Sequence, residues 1–172
     1  MKFKNLFLLF CSLFILLGCQ STKVERRTVL SLELDEINGI KSYHKGEFKK
    51  SFELLKTPAT WGYKGAQYTI AFMFLKGQHV QQSTLLGMGW LGVATEVETE
   101  DWSEQYRSFY AVATQEQKLK IDKVVEEYIR RYGMKSQHII CKKSATTRSK
   151  RVKHVCTKSD NLSVVYDVDL VE

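Results

Sequence analysis

The chain has 172 residues, of which 26 are Lys or Arg and 19 are Asp or Glu, so its formal net charge is +7. This length suits one domain with a real hydrophobic core, or a short repeat array with an appended module. The chain contains four cysteines, and the position of each one predicts its role.

The first residues predict an export signal. Lys2 and Lys4 precede a mostly apolar run over residues 6–17, and the sequence Leu-Leu-Gly-Cys then ends at Cys19. A run of this length suits the core of a signal peptide but is too short for a membrane-spanning helix, which needs roughly 20 residues. We therefore predict a signal peptide over residues 1–18, with an uncleaved anchor and an ordinary secretory signal as alternatives.

The Leu-Leu-Gly-Cys ending resembles the lipobox of bacterial lipoproteins. This resemblance implies cleavage before Cys19, lipidation of that cysteine with several acyl chains, and anchoring to a membrane of the cell envelope. Gln20, rather than Asp, follows the cysteine, which implies an outer-membrane location facing the periplasm. The polar residues that follow predict a lipidated tether over residues 19–33. Loss of residues 1–18 removes Lys2 and Lys4, so the net charge falls from +7 to +5.

A helical period predicts a helical repeat domain over residues 34–133, and short turns between its helices favour antiparallel hairpins. The candidate helices cover residues 34–45, 47–57, 63–76, 82–97, 102–113 and 115–132. The last of these is the clearest, because its apolar residues form one stripe and Gly133 follows as a C-terminal stop. The predicted fold class is therefore mostly α.

Residues 65–95 combine small and aromatic residues in a recurring pattern. Ala66, Gln67 and Tyr68 open the first helix of this segment, and Gly77 lies in its turn. The second helix carries Gly87, Trp90, Leu91 and Ala94. This pattern resembles a Sel-one-like repeat, the helix-turn-helix relative of the tetratricopeptide repeat. Residues 43–63 match the second half of a preceding repeat more weakly, and the match fades after Glu98.

The resemblance implies an α-solenoid-like scaffold that binds a protein partner on its surface and has no catalytic residues of its own. Small Ala71 and Gly87 would let the two helices approach closely. Four residues are candidate partner contacts: Tyr63, Tyr68, His79 and Trp90. The alternative is an unrelated helical bundle, in which the aromatic residues, including those around Trp102, serve only as packing.

After Gly133 the pattern changes from helices to strands. Short apolar stretches at residues 139–141, 152–157 and 164–170 predict a β-hairpin or three-stranded antiparallel meander within a module over residues 134–172. Cys141 and Cys156 are an even pair that an oxidising compartment would join in a disulfide. The run between them resembles a cysteine-bracketed basic hairpin found in small exported bacterial proteins.

The predicted hairpin is strongly basic. It has eight Lys or Arg residues between Met134 and Ser159 and no acidic ones. The candidate contacts to a partner are Lys142, Lys143, Arg148, Lys150 and Arg151. They could touch an anionic lipid, lipopolysaccharide or a glycan, or be partly neutralised by the acidic C-terminal segment. Nucleic acid is excluded as a partner, because a lipid-anchored protein outside the cytoplasm seldom meets it.

The function that we expect is that of a lipid-anchored envelope adaptor. The repeat surface would bind a protein partner, and the first alternative is an envelope-binding module based on the basic hairpin. The second alternative is an unrecognised enzyme or enzyme inhibitor. No residue pattern with recognisable catalytic spacing is present, so we predict no enzyme, no cofactor and no metal site; the spacing of Cys141 and Cys156 with their nearby histidines does not match strong zinc motifs.

Overall fold

The computed structural model describes residues 27–145 and 152–158. Within residues 27–145, six α-helices precede the first strand of a two-stranded antiparallel sheet. The helices are α1 (Val29–His44), α2 (Phe48–Thr60), α3 (Lys64–Lys76), α4 (Thr84–Ala94), α5 (Glu100–Ala111) and α6 (Gln115–Tyr132). A short 3₁₀ helix (Thr95–Val97) follows α4, and the strands are β1 (Ile139–Ala145) and β2 (Val152–Lys158).

The predicted fold class is confirmed: a short array of antiparallel helices is followed by a small disulfide-closed antiparallel sheet. The predicted signal peptide, Cys19 and the predicted strand over residues 164–170 lie outside the described residues. No helix within residues 27–145 is both long and apolar enough to cross a membrane.

The first helix begins at Val29 rather than at residue 34, so residues 29–33 are helical and not part of an extended tether. Thr28 caps the helix, since its hydroxyl oxygen accepts a hydrogen bond from the Ser31 N–H at 3.1 Å. Leu32 is fully buried in the core. The cap and this single apolar contact start the helix in a stretch whose sequence has no sustained period.

The second helix also extends beyond its predicted end at residue 57. Pro58 lies in the last turn of α2, which ends at Thr60. Proline has no N–H to donate to the carbonyl four residues earlier, and its ring crowds that carbonyl, so a proline at this position normally disfavours the helix. Pro58 is itself buried, so the packing of the last turn retains the helix.

The hairpin of α3 and α4 matches the small-residue pattern of the sequence. Gly77 ends α3 in the left-handed conformation, with φ of 66°. At Gly87, a Cβ atom would lie 2.6 Å from the Leu75 Cγ and 3.1 Å from the Ala71 carbonyl oxygen. Glycine therefore allows α4 to approach α3, as the sequence predicts.

Helix α6 packs against α4 in a closed, aromatic-rich part of the core. At Gly89 a Cβ atom would lie 2.5 Å from the Val124 Cγ1 of α6. Trp90 is fully buried, and its ring stacks on Tyr132 at 4.8 Å and meets Tyr128 edge-on at 4.8 Å. Helix α6 therefore shares one core with the α3–α4 hairpin.

The hairpin of β1 and β2 is docked onto the helices. Cys141 lies opposite Cys156 in the strand register and forms a disulfide with it, which confirms the predicted pair. Ile139 is buried, and the Lys158 ammonium group lies 5.5 Å from the centroid of the Trp61 ring, which follows α2. The basic module is thus part of the same packed unit as the helical array.

Candidate partner-binding groove

Three helices, α1, α3 and α5, line one side of the array and leave a groove between them. The groove consists of a larger cavity of about 610 Å³ and a smaller one of about 340 Å³. Ile40 of α1, Gly65 of α3 and Trp102 of α5 line both cavities, so the two are adjacent. In an array of hairpins, the first helices of successive repeats form such a concave surface.

The larger cavity is built where α1 crosses the start of α3. Glu36 of α1 accepts a hydrogen bond from the Ala66 N–H at 3.0 Å, so its carboxylate caps α3 from outside that helix. At Gly65 a Cβ atom would lie 2.9 Å from the Glu36 Oε1 and 3.0 Å from the Ile40 Cδ1. The absence of a side chain at Gly65 is therefore what lets the carboxylate reach the helix.

The electrostatic character of the larger cavity is acidic. Glu33, Glu36 and Asp101 line it. Burial raises the pKa of Glu36, and the N–H groups of Ala66 and Gly65 act in the opposite direction. Burial and the two neighbouring glutamates raise the pKa of Tyr63 to about 12, and the Tyr63 hydroxyl donates to the Val29 carbonyl at 3.3 Å.

Aromatic rings form the smaller cavity. Tyr68 and Trp102 stack with centroids 4.5 Å apart and an interplanar angle of 15°, and both remain partly exposed. Phe72 lies beside Tyr68, with centroids 5.0 Å apart, and the Lys76 ammonium group sits over the Phe72 ring at 5.4 Å. The smaller cavity can therefore bury an apolar side chain against ring faces.

One wall of the larger cavity comes from the β-hairpin. Val155, Cys156 and Thr157 of β2 line it together with residues of α1 and α5. Val155 is 51% exposed, so its apolar side chain is available at this wall. The groove and the disulfide-closed hairpin are parts of one continuous surface, although the sequence presents them as separate modules.

A buried lysine closes the floor of the groove. The Lys64 side chain is 2% exposed, and its ammonium group donates to the Glu96 Oε2 at 2.6 Å, the Gln67 Oε1 at 2.9 Å and the Val93 carbonyl at 3.0 Å. Glu96 also accepts from the Met134 N–H at 2.9 Å. Lys64 therefore uses all three of its N–H donors within the protein.

Gln67, one turn further along α3, completes this polar junction. Its side-chain N–H₂ group donates to the Ala59 carbonyl and to the Tyr132 carbonyl, both at 2.9 Å. Ala59, Val93 and Tyr132 lie at the C-terminal ends of α2, α4 and α6, where helix carbonyls lack partners of their own. Side chains from the first turn of α3 thus donate hydrogen bonds to carbonyl groups at the C-terminal ends of three other helices.

The junction shifts the ionisation of Lys64. Burial lowers its pKa from the usual 10.5 to about 8, while the attraction of Glu96 acts in the opposite direction. The Lys64 ammonium group reaches from α3 to the C-terminal end of α4, where a positive charge interacts favourably with the dipole of α4. These contacts link the groove-lining helix α3 to α4 and to the segment that leads into the hairpin.

The structure brings together two of the four predicted partner contacts of the helical domain. Tyr63 lines the larger cavity and Tyr68 the smaller one. His79 is exposed, but it lies in a separate depression beside α2, where its ring meets Phe52 at 5.7 Å. Trp90 is corrected: it is fully buried between α4 and α6 and is inaccessible to a partner.

The basic residues of the hairpin fall into two groups. Lys142 and Lys143 are exposed on β1, next to the strand that forms a wall of the groove. Arg148, Lys150 and Arg151 lie outside the described residues. Two of the five predicted basic contacts are therefore described, on the strand that pairs with β2, and neither lines a cavity of the groove.

Sequence reasoning missed the junction and the acidic wall of the groove. No motif with a recognisable spacing contains Glu36, Lys64 or Gly65. The Lys64 ammonium group bonds to Val93 and Glu96, which are 29 and 32 residues away in the chain. The available signal was Trp102, which belongs to an aromatic stripe that the sequence assigns mainly to packing.

Comparison of the chain with protein-family models, curated proteins and solved structures finds no match.

Proposed function

We propose that this protein is a lipid-anchored adaptor of the bacterial cell envelope that binds a segment of a protein partner in the groove between α1, α3 and α5. The observation that carries the proposal is the partly exposed stack of Tyr68 on Trp102, which lies where two cavities adjoin. Exposed aromatic faces of this kind are typical binding hot spots.

The chemistry of the groove suggests what the partner segment contains. The smaller cavity offers ring faces to an apolar or aromatic side chain, and the larger one offers carboxylates to a basic side chain. The distribution of charge therefore favours a segment with an apolar anchor followed by Lys or Arg. The rest of the groove wall supplies shape rather than strong polar contacts.

The anchor and the repeat family are parts of the same proposal. The Leu-Leu-Gly-Cys sequence supports lipidation at Cys19, and Gln20 supports an outer-membrane location facing the periplasm. The α3–α4 hairpin, with its left-handed Gly77 and its close contact at Gly87, supports a Sel-one-like array. Tethering holds the groove near envelope proteins, so that a modest affinity gives substantial occupancy.

A second candidate function is binding of an anionic lipid or glycan by the hairpin. The exposure of Lys142 and Lys143 on β1 favours it, because these ammonium groups are free to face an anionic surface. The hairpin would then be the main binding site, and the helices would support it.

The experiment that tests the adaptor uses a photo-crosslinking amino acid at position 76 in intact cells, because Lys76 is exposed and lines the smaller cavity. We expect capture of one envelope protein, and we expect Trp102→Ala to abolish that capture. Leu119→Ala is the matched control, since Leu119 is 57% exposed on α6 and does not line the groove.

The same cells distinguish the two candidate functions. Neutralising the five basic residues of the hairpin, Lys142, Lys143, Arg148, Lys150 and Arg151, should leave capture at position 76 intact if the groove is the site. If neutralisation abolishes binding while the fold is retained and Trp102→Ala has no effect, the adaptor proposal fails in favour of the hairpin.

A further inference from the structure

The outward face of α1 carries an apolar stripe that the core does not cover. Leu30, Leu34 and Ile37 are 64%, 50% and 61% exposed, and their spacing of four and three residues places them on one side of the helix. Lys41, one turn further, continues this face and is also exposed. Buried Leu32 lies on the opposite side, so the orientation of the stripe is set by packing.

No acid lies within the stripe itself: two of the three acids of α1 are engaged elsewhere, and the third, Glu33, borders the stripe beside Ile37 in the larger cavity. Asp35 pairs with Arg27, and Glu36 caps α3. Glu33 lines the larger cavity. The face that remains consists of three large apolar side chains and one lysine.

The two ends of the helical array differ in this respect. The last helix, α6, has charged residues on its exposed face, such as the Lys120–Glu116 pair at 2.7 Å. Terminal helices of repeat arrays require a polar outer face to stay soluble. The first helix departs from this rule, which indicates that something covers its stripe.

We propose that the Leu30, Leu34 and Ile37 face of α1 lies on the lipid bilayer to which Cys19 is attached, an inference that rests on the lipid anchor of the proposed function. Nine residues separate Cys19 from Val29, so at full extension they span only about 30 Å. Apart from Arg27, which pairs with Asp35, these residues include Lys23 and Arg26 against a single acid, Glu25. An apolar face flanked by cations suits the interface of an anionic membrane.

This placement orients the groove. Ile37 belongs to the stripe and also lines the larger cavity, so the groove opens next to the bilayer surface. The segments that it can reach are those held close to the membrane, such as the first residues outside a membrane anchor of another protein. Position relative to the bilayer thus becomes part of partner selection.

The test uses the lipidated full-length protein in vesicles of phosphatidylethanolamine and phosphatidylglycerol, with or without brominated acyl chains, which quench tryptophan. The fluorescence of the introduced tryptophan in Leu34→Trp and Leu30→Trp is obtained by subtracting the emission of the wild type. We expect this fluorescence to shift to shorter wavelength when vesicles are present and to be quenched in brominated vesicles. Leu119→Trp on α6 is the matched control, whose added emission should be unchanged.

Sedimentation with the vesicles separates this inference from the anchor itself. If the wild type sediments, Cys19→Ser does not, and the emission added at positions 30 and 34 is unquenched, the membrane-facing stripe is overturned while the anchor stands. If the wild type remains in solution, the anchor fails and the stripe fails with it. Crosslinking from position 34 to a protein rather than to lipid in intact cells would also overturn the inference.

Discussion

Stacked aromatic residues are fully buried on one side of the α3–α4 hairpin and partly exposed on the other. On the α6 side, Trp90 and Tyr132 stack at 4.8 Å and are completely buried, because Gly89 lets the side chains of α6 approach the backbone of α4. On the groove side, Tyr68 and Trp102 stack at 4.5 Å but stay partly exposed. The same pairing of rings is therefore buried core where the helices close, and stays partly exposed, as a candidate binding surface, where they remain apart.

The strongest test of this difference is to remove one tryptophan from each side of the α3–α4 hairpin. Trp90→Ala would leave a cavity between α4 and α6 and should lower the free energy of unfolding by about 3–5 kcal/mol. Trp102→Ala removes a partly exposed ring and should have a much smaller effect on stability while abolishing partner capture. Denaturant unfolding followed by far-UV circular dichroism measures both changes.

The result that would contradict the comparison is an equal loss of stability in the two variants. Such equality would mean that the Tyr68–Trp102 stack is core packing and not a binding surface. Leu119→Ala, at an exposed position of α6, sets the baseline for a substitution on the surface.

The disulfide should affect the groove side selectively. Replacing Cys141 and Cys156 together by Ser releases a loop with a sequence separation of 15, and the entropic model predicts that the hairpin is destabilised by about 3 kcal/mol. Because β2 forms a wall of the larger cavity, partner binding should weaken. Hydrogen exchange should be faster in β1 and β2 and unchanged in α6; faster exchange throughout the protein would show that the hairpin supports the whole fold.

The pH dependence of the free energy of unfolding tests whether Lys64, beneath the groove, has a lowered pKa in the folded protein. Between its folded pKa of about 8 and its usual value of 10.5, the unfolded lysine keeps a proton that the folded one has lost. Unfolding then takes up a proton and becomes less favourable as the pH rises, by at most about 1.4 kcal/mol per pH unit. Lys64→Met should remove this rise.

The measurement for Lys64 is the difference in unfolding free energy between the wild type and Lys64→Met from pH 7 to pH 10.5. Taking the difference cancels the opposite effect of tyrosines such as Tyr63, whose raised pKa makes the folded state less stable above pH 10 in both proteins. Parallel curves for the two proteins would show that Lys64 keeps an ordinary pKa in the folded state.

Local patterns in the sequence predicted most of the secondary structure. The helix over residues 115–132 has the predicted bounds, since its capping box at Thr114 and Gln117 and its apolar stripe are both local features. The pairing of Cys141 with Cys156 was also predictable, because no other cysteines follow residue 19. The start of α1 was not, because it depends on the burial of Leu32 against the other helices, which only the tertiary structure shows.

The candidate site was only partly predictable. Tyr63 and Tyr68 line the groove, Tyr63 as a buried residue and Tyr68 as a partly exposed one, whereas Trp90 is fully buried away from it. Periodicity assigns residues to faces of a helix, but it does not say which face a distant helix will cover. That decision depends on α5 and α6, which lie outside residues 65–95.

By itself, the sequence determined the mostly helical class, the turn at Gly77, the close approach at Gly87 and the cysteine pair, since each depends on backbone conformation or on residues in one short segment. Only the tertiary structure decided that Lys64 and Gln67 would join the ends of three helices, and that the basic hairpin would form a wall of the groove. These contacts join residues that are far apart in the chain, and their energies depend on burial, which no local pattern records.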